Sequence, residues 1–268
     1  MIILIMRRFW TISSLLKKAI RVEKSSPNEL DARLSFQESV YSKYGLSREI
    51  GLSKLNKILE NLYGLEYNET TNMWSEHLVL FASISEGFSP ISNVLEIGTF
   101  DGETTKLMSL IFPDSKILTI DLPQDELSKI DLYKYMTERP DFEKTRQQNL
   151  THSQNIQFQE MNSLQLLHSP LSFDLIWIDG DHSYPVASID IANSLRLLSS
   201  NGIAICDDVY IESQSKNTPG RSICSYETLN SLTEARLISF SLIRKRLGMN
   251  FNQSNSNEKF LGIFQKIT

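Results

Sequence analysis

The sequence has little cysteine, no excess of basic residues and no long apolar run. Its 268 residues include two cysteines, Cys206 and Cys224, too few for a disulfide scaffold or a cysteine-based zinc site. The formal net charge of −5 disfavours nucleic acid and anionic membranes as partners, because phosphate groups are bound by clustered Lys and Arg. No stretch approaches the roughly 18 apolar residues that a membrane span needs. We therefore expect a cytoplasmic protein with a small-molecule partner.

The N-terminus does not resemble a secretory signal. Six apolar residues precede Arg7 and Arg8, whereas a signal peptide places its positive charges first and then about 7 to 15 apolar residues. Residues 9–20 have apolar positions at helical spacing, which describes either a helix at a membrane surface or one docked on its own domain or a second subunit. We favour docking. Residues 1–73 are predicted to form a helical region that caps the domain or mediates homo-oligomer contacts, and 74–268 the main domain.

From about residue 90, short β-rich runs alternate with helical stretches. Strands are predicted at about 93–97, 116–121, 155–160, 173–179 and 202–207, preceded by helices at 46–63 and 74–87. Continuous apolar runs of this length are typical of a parallel sheet covered on both faces. Two further runs, 235–243 and 258–266, have no obvious helix between them, so a terminal antiparallel pair is expected. The fold class is α/β, doubly wound and Rossmann-like.

The first of these strands leads directly into GTFDGETT, residues 98–105, and then into a helix. A cofactor loop has this placement, but the spacing from Gly98 to Gly102 lacks the G-x-G-x-x-G of a dinucleotide site. A pyrophosphate would compete with Asp101 and Glu103 for the same donors at the helix start. S-adenosylmethionine, which carries a sulfonium and an ammonium group, has no such conflict. Its amino acid end could use Glu96 or Asp101.

Asp121 ends the second strand of the series, 23 residues after Gly98. This is close to the roughly 20 residues expected for a carboxylate that accepts ribose hydroxyls. Simpler roles remain open: the two glycines could serve only a tight strand-to-helix turn, and Asp121 could be an ordinary acid at a strand end.

VLEIGTFDGETT followed by LTID resembles the first two motifs of class I S-adenosylmethionine-dependent methyltransferases, and EIGTFDGETT is similar to the form found in small-molecule O-methyltransferases. The resemblance implies a seven-stranded sheet in the order 3-2-1-4-5-7-6, with strand seven antiparallel. It also implies that the cofactor is bound by residues along the strand ends: Glu96, Gly98, Thr99, Phe100, Asp101, Gly102, Asp121, Asn162, Ser163 and Asp179. Asn162 departs from the acid more common at its position, which makes the adenine contact the least secure of these.

Acidic residues follow the next two strands, in IDGDHSY and CDDV. Ligands of open α/β sheets bind outside the carboxyl ends of the strands where the strand order reverses, so Asp179, Asp207 and Asp208 are expected to converge there. Carboxylates brought together repel one another unless a cation neutralises them. Oxygen ligands without cysteine favour Mg²⁺, with Ca²⁺ and Mn²⁺ as alternatives. Asp208 could equally face solvent.

IDGDHSY and CDDV are most similar to the metal-dependent branch that contains macrocin O-methyltransferases and the so-called cephalosporin hydroxylases. The resemblance covers residues 90–210 and implies that Asp179 and Asp207 are metal ligands, that Asp208 is next to the second ligand, and that His182 is the general base. An isolated histidine on a loop is more often a surface residue. His77, His152 and His168 have no comparable context and are expected to be structural or exposed, and Tyr184 could border the substrate.

We therefore expect an S-adenosylmethionine-dependent O-methyltransferase that acts on a hydroxyl of a small molecule with help from a divalent metal. Two alternatives stay open: a metal-independent methyltransferase with His182 alone as base, and a non-catalytic module that binds an adenosyl ligand or a sugar nucleotide. An NAD-linked oxidoreductase is disfavoured by the missing glycine. The N-terminal helices and residues 210–224 are expected to determine the acceptor, whose identity the sequence does not disclose.

Overall fold

The computed structural model describes residues 23–24, 26–71, 74–88, 90–127, 141–211, 222–250 and 258–267. The predicted amphipathic stretch 9–20, residues 251–257 of the polar connector, and residues 212–221 of the predicted specificity segment lie outside the described residues. Cys206 and Cys224 are both free and buried. No helix in the described ranges is both long and apolar enough to cross a bilayer.

After the two-residue strand β1, the described part of the chain has helices first, and strands and helices then alternate. Before the main sheet lie β1 (Glu23–Lys24), α1 (Pro27–Lys43), α2 (Arg48–Tyr63) and α3 (Glu76–Gly87). The alternating part comprises β2 (Asn93–Ile97), α4 (Glu103–Ile111), β3 (Lys116–Asp121), α5 (Gln124–Leu127), α6 (Phe142–Leu150), β4 (Ile156–Glu160), a 3₁₀ helix (Ser163–His168), β5 (Phe173–Ile178), α7 (Val186–Leu197) and β6 (Leu198–Val209). The last elements are α8 (Cys224–Glu234), β7 (Ile238–Arg244), β8 (Met249–Asn250) and β9 (Phe260–Lys266).

The main sheet has seven strands in the order β4-β3-β2-β5-β6-β9-β7. Its strands are parallel except for β9, which runs antiparallel to both β6 and β7. Numbered within the sheet, this order is 3-2-1-4-5-7-6 with strand seven antiparallel, so the predicted fold is confirmed. The order reverses between β2 and β5, where the loops that follow these strands face the same crevice.

The strand bounds depart from the sequence prediction mainly at β6. This strand begins at Leu198, directly after α7, because the polar residues 199–201 continue the extended backbone that the apolar run 203–206 anchors in the sheet. The two-residue pair of β1 with β8 was not predicted, since two residues are too few to show an alternating pattern.

Hydrophobic cores cover both faces of the sheet. On one face, Tyr41 of α1, Leu55 of α2 and Phe81 of α3 share a core with Val94 and Trp177 of the sheet. On the other face, Leu95 of β2 packs in a core with residues of α7 and α8. Successive residues of β2 thus point to opposite faces. Because α1 and α2 share the sheet's core, they position the neighbouring loops directly; the predicted domain division at residue 73 stays a prediction.

Candidate active site

The loop after β2 begins at a glycine that leaves no room for a side chain. Gly98 has a φ of +101°, and a Cβ atom built on it would lie 2.2 Å from the carbonyl oxygen of Asp179. The amide of Gly98 donates to the carbonyl of Ile120 at 2.9 Å, and the amide of Asp179 donates to that of Ile97 at 2.8 Å. The ends of β2, β3 and β5 are therefore in close backbone contact, and glycine is needed at position 98 for this approach.

Asp121 fastens the ends of β2 and β3 together. Its Oδ2 accepts the amide hydrogen of Phe100 at 2.7 Å, and its Oδ1 accepts that of Leu122 at 2.8 Å. Arg146 of α6 is 3.5 Å away, and both side chains are nearly buried. Burial raises the pKa of Asp121, and the two amides and Arg146 only partly offset that effect. Each carboxylate oxygen has a second lone pair, so Asp121 can still accept from a ligand hydroxyl.

The start of α4 is lined by carboxylates that already accept backbone hydrogens. Gly102 precedes the helix with a φ of +75°, and Asp101 Oδ1 accepts the amide hydrogen of Glu103 at 3.0 Å. Asn149 of α6 donates to the carbonyl oxygen of Asp101 at 2.9 Å. A pyrophosphate at this helix start would need the backbone amides that already donate to the carboxylates of Asp101 and Asp121, and its negative charge would be repelled by these carboxylates. A cofactor with net positive charge fits this donor set.

Glu96 lies inside the fold and not on the surface of the crevice. It is fully buried, its Oε2 accepts the hydroxyl hydrogens of Thr105 and of Thr119, the latter at 2.6 Å, and its Oε1 has no hydrogen-bond partner among the described residues. Thr99 is also buried, with its hydroxyl 2.6 Å from that of Thr119. Burial raises the pKa of Glu96 to about 8, so the side chain is mostly protonated at neutral pH.

Asn162 and Ser163 follow β4 at the same edge of the sheet. The Asn162 side chain accepts the amide hydrogen of Leu164 at 3.0 Å and thereby caps the 3₁₀ helix. Asp190 of α7 is a buried residue whose pKa is raised to about 6 by burial. The polar groups at this corner thus organise the loop that follows β4, and an adenine contact by Asn162 stays a prediction.

Asp179 and His182 form a pair at the end of β5. His182 Nε2 lies 3.5 Å from Asp179 Oδ1, with side chains 18% and 32% exposed. Burial raises the pKa of Asp179 to about 7, and the nearby Asp207 carboxylate adds to the effect. For His182, burial alone would lower the pKa, but the Asp179 carboxylate outweighs burial and the pKa is raised. The pair can therefore hold and release a proton near neutral pH, which is the property of a general base.

A β-bulge brings the carboxylates of Asp207 and Asp208 to the same side of β6. Cys206 pairs with Gly262 and Val209 with Phe260, so three steps along β6 face two along β9. Asp208 has a φ of +49°, the left-handed backbone that such a bulge needs. Without the bulge, consecutive side chains would point to opposite faces of the sheet.

Lysine side chains neutralise these two carboxylates. Lys245 Nζ donates to Asp207 Oδ2 and to Asp208 Oδ1, both at 2.6 Å, and Lys259 Nζ donates to Asp208 Oδ2. Burial alone would raise the pKa of Asp208, but the two ammonium groups outweigh burial and lower it strongly. Asp207 Oδ1 is buried and has no hydrogen-bond partner among the described residues.

These contacts decide whether a divalent ion fits the predicted ligands Asp179, Asp207 and Asp208. The described residues include no group of three or more His, Cys, Asp and Glu side chains arranged to hold a metal. Mg²⁺ needs oxygen ligands in a near-octahedral arrangement at about 2.0 to 2.1 Å, and here the ammonium group of Lys245 is bonded to two of the three carboxylates. As placed, the residues do not fit a divalent ion.

Sequence reasoning missed the basic partners of the site. Lys245 belongs to RKR at residues 244–246, which begins with Arg244, the last residue of β7. Three basic residues in an otherwise acidic chain, at the end of a strand that pairs with β9, were the signal that could have identified it. Arg146 gave no such signal, because its partner Asp121 lies in another element 25 positions away in the sequence.

The remaining residues singled out by the sequence lie around this centre. His77 is buried, stacks on Trp177 with ring centroids 5.2 Å apart, and has its Nδ1 2.7 Å from the hydroxyl of Ser75. Burial lowers the pKa of His77 to about 3, so it is a neutral packing residue as expected. Tyr184 is 77% exposed and borders a cavity of about 280 Å³ formed mainly by α7 and α8.

Residues 95–209 match a family of sequences described as a methyltransferase domain. No curated protein matches the chain. Similar solved structures include the O-methyltransferase TomG from Streptomyces achromogenes, involved in tomaymycin synthesis and determined in complex with SAM (13% identity, 87% of this chain and 98% of that chain, TM-score 0.48). Others are the N-methyltransferase NodS from Bradyrhizobium japonicum (20% identity, 70% and 92%, TM-score 0.44) and an rRNA methylase from Streptococcus thermophilus (12% identity, 70% and 93%, TM-score 0.45). At these identities and TM-scores the likenesses carry no argument about the acceptor.

Proposed function

Because residues 95–209 match a methyltransferase domain and the sheet has the strand order expected of class I methyltransferases, we propose that the chain transfers a methyl group from S-adenosylmethionine to a hydroxyl of a small molecule, with His182 as the general base. The observation that supports this proposal is the pair of His182 and Asp179. It follows β5, the strand that pairs with β2, and the loop after β2 is the one that we assign to the cofactor. The acceptor class rests on the resemblance to small-molecule O-methyltransferases.

The residues around the crevice fit S-adenosylmethionine. We assign the ribose hydroxyls to Asp121, whose carboxylate has lone pairs left beside its bond from Phe100, and the positively charged end of the cofactor to the acids at the start of α4. Glu96 is too deeply buried for us to give it a direct contact; we assign it to supporting the loop through Thr105 and Thr119. Gly98 and Gly102 supply the backbone shape of the loop. When bound, S-adenosylmethionine supplies a methyl group on a positively charged sulfur.

The proposed step is an in-line displacement. The acceptor oxygen forms a bond to the methyl carbon while the bond from that carbon to sulfur breaks, and the electron pair of the broken bond stays on sulfur. His182 Nε2 takes the proton of the acceptor hydroxyl, and Asp179 stabilises the imidazolium that results. Holding the two reactants in line and excluding water supplies much of the rate enhancement in such a reaction.

The sequence predicted Mg²⁺ at Asp179, Asp207 and Asp208. Lys245 and Lys259 already bind two of these carboxylates. The proposed mechanism therefore uses no metal ion, and we favour the metal-independent alternative. The other alternative, a module that binds an adenosyl ligand without catalysis, has no observation in its favour, but the same experiment addresses it.

The test is a methyl-transfer assay with S-adenosylmethionine and a panel of sugars, phenols and polyketide alcohols. The release of S-adenosylhomocysteine is measured. Replacing His182 by Ala is expected to lower kcat by roughly 10² to 10⁴ with nearly unchanged cofactor affinity. His168→Ala is the matched control, because His168 is exposed at the end of the 3₁₀ helix. Equal kcat in His182→Ala would remove His182 from the mechanism. Tight cofactor binding with no transfer to any acceptor would favour the binding module.

A further inference from the structure

The position of Lys245 is fixed by its backbone as well as by its side chain. The carbonyl oxygen of Lys245 accepts the amide hydrogen of Glu76 at 3.0 Å, and its own amide donates to the carbonyl of Lys259 at 3.1 Å. The preceding residue, Arg244, is bonded twice by the side-chain amide of Gln37: Nε2 donates to its carbonyl at 3.1 Å, and Oε1 accepts its amide hydrogen at 2.9 Å. Lys245 is therefore held in place between α1, α3 and β9.

The turn after Lys245 is anchored in the same way. Glu69 accepts the amide hydrogen of Leu247 at 2.7 Å and that of Gly248 at 2.8 Å. A surface lysine with a free backbone could swing away when another cation arrives, but this segment is tied at residues 244, 245, 247 and 248. The side chain of Lys245 is 14% exposed and directed to the two aspartates of the bulge.

The charges balance without any added ion. Asp207 and Asp208 are both nearly buried, and the ammonium groups of Lys245 and Lys259 face them. The third acid, Asp179, has His182 as its partner. A dication at this point would have to displace Lys245 or lie beside its positive charge, and like charges at close range in a buried site repel strongly.

We propose that Lys245 is a built-in cation that replaces a divalent metal ion in this chain: it neutralises Asp207 and Asp208 and holds both carboxylates on the same side of β6. Lys245 is a positioning residue, since it acts through the aspartates. The effect of Lys245 on methyl transfer rests on the proposed function, and its effect on metal binding does not.

The first test is a titration of the purified 268-residue chain with Mn²⁺. Binding is measured by electron paramagnetic resonance and by calorimetry. The wild-type chain is expected to show no saturable binding at a 1:1 ratio. Saturable binding that Asp207→Asn abolishes would overturn the proposal, because the ion would then compete successfully with Lys245. This arm needs neither turnover nor an acceptor.

The second test converts the cluster. In Lys245→Met the new side chain is similar in length and uncharged. The three carboxylates then keep only Lys259 and His182 as basic partners. We expect Lys245→Met to bind Mn²⁺ at least tenfold more tightly than the wild-type chain. Lys54→Met, which removes a lysine paired with Glu86 outside the site, is the matched control and should leave binding unchanged. Circular dichroism establishes folding; if Lys245→Met does not fold, the wild-type titration still decides the question.

The third test measures methyl transfer in excess EDTA. Full turnover is expected for the wild-type chain, and a requirement for Mg²⁺ would overturn the role of Lys245. In Lys245→Met we expect kcat/KM to fall in EDTA, because the Asp207 and Asp208 carboxylates lose the ammonium group that holds them, while His182 is retained. Absence of transfer with any acceptor refutes the proposed function, and the Mn²⁺ titrations still decide the role of Lys245.

Discussion

Gly98 and Asp179 approach so closely that no side chain fits between them: a Cβ on Gly98 would lie 2.2 Å from the Asp179 carbonyl oxygen. The contact joins the loop after β2 to the loop that carries the His182 pair. It follows that the backbone at position 98 governs both halves of the candidate site.

Replacing Gly98 by Ala is expected to destabilise the protein by more than the roughly 1 to 3 kcal/mol of a strained backbone conformation, because the methyl group also collides with backbone. Gly64→Ala separates the two effects: Gly64 has a φ of +67° and nothing within 4 Å of its Cβ position. Urea unfolding of both variants measures the difference. Equal losses in the two variants would show that the close approach is unimportant.

Asp121 is expected to matter for cofactor affinity. Asp121→Ala removes the proposed acceptor for the ribose hydroxyls and leaves the amide hydrogen of Phe100 without the Asp121 carboxylate that accepts it. Hydrogen bonds to charged groups contribute about 1.5 to 3 kcal/mol, so Kd for S-adenosylhomocysteine should rise roughly 10- to 100-fold. Calorimetry measures it, with Asp114→Ala as control because Asp114 is exposed. An unchanged Kd would make Asp121 purely structural.

The pH dependence of catalysis should report the pair of His182 and Asp179. The pKa of His182 is raised above 6.5 because the Asp179 carboxylate outweighs burial. His182 therefore keeps its proton to higher pH, and kcat/KM should rise through an acidic limb above pH 6.5. Asp179→Asn removes the carboxylate and should move that limb to lower pH. An acidic limb at the same pH in both proteins would assign it to another group.

Glu96 should make stability depend on pH. Its pKa is raised from 4.5 to about 8 in the folded protein, so its stabilising contribution is fully present below pH 4.5 and is lost as pH rises towards 8. Glu96→Gln should gain stability relative to the wild-type chain over this interval, at up to about 1.4 kcal/mol per pH unit. Comparing the two proteins also removes the contributions of Asp179 and Asp190, whose pKa values of about 7 and about 6 lie in the same interval. Parallel stability curves would contradict this.

The strands and the parallel sheet could be predicted because their evidence is local, whereas the strand order was implied by the resemblance to class I methyltransferases. The apolar runs of β2 and β3 fixed their bounds at Asn93–Ile97 and Lys116–Asp121, and their alternation with helices indicated a parallel sheet. The position of Asp121 at the end of β3 could also be read from the local sequence. The carboxyl ends of parallel strands lie at one edge of the sheet, so acids at strand ends are expected to lie near one another.

The charge pairs could not be predicted in the same way. Lys245 and Asp207 are 38 positions apart in the sequence and are brought together by the antiparallel pairing of β7 and β9. The residues near Asp207 in the sequence do not indicate this partner. The bulge that aims Asp207 and Asp208 to one side depends on the register of β6 against β9, which the sequence pattern does not reveal. The expectation of Mg²⁺ rested on the acids at the strand ends and on the resemblance to metal-dependent O-methyltransferases, and it did not include the two lysines that bind Asp207 and Asp208.

The extra residue in β6 also makes this corner of the protein sensitive to chain length and not only to composition. If either Asp207 or Asp208 were deleted, the strand could resume a regular pleat against β9, and the one remaining carboxylate would be re-aimed while Lys245 lost one of its two anchors. Deleting one of these two residues should therefore disturb the contacts of Lys245 more than replacing it by Asn, because the deletion also changes the register of β6 against β9.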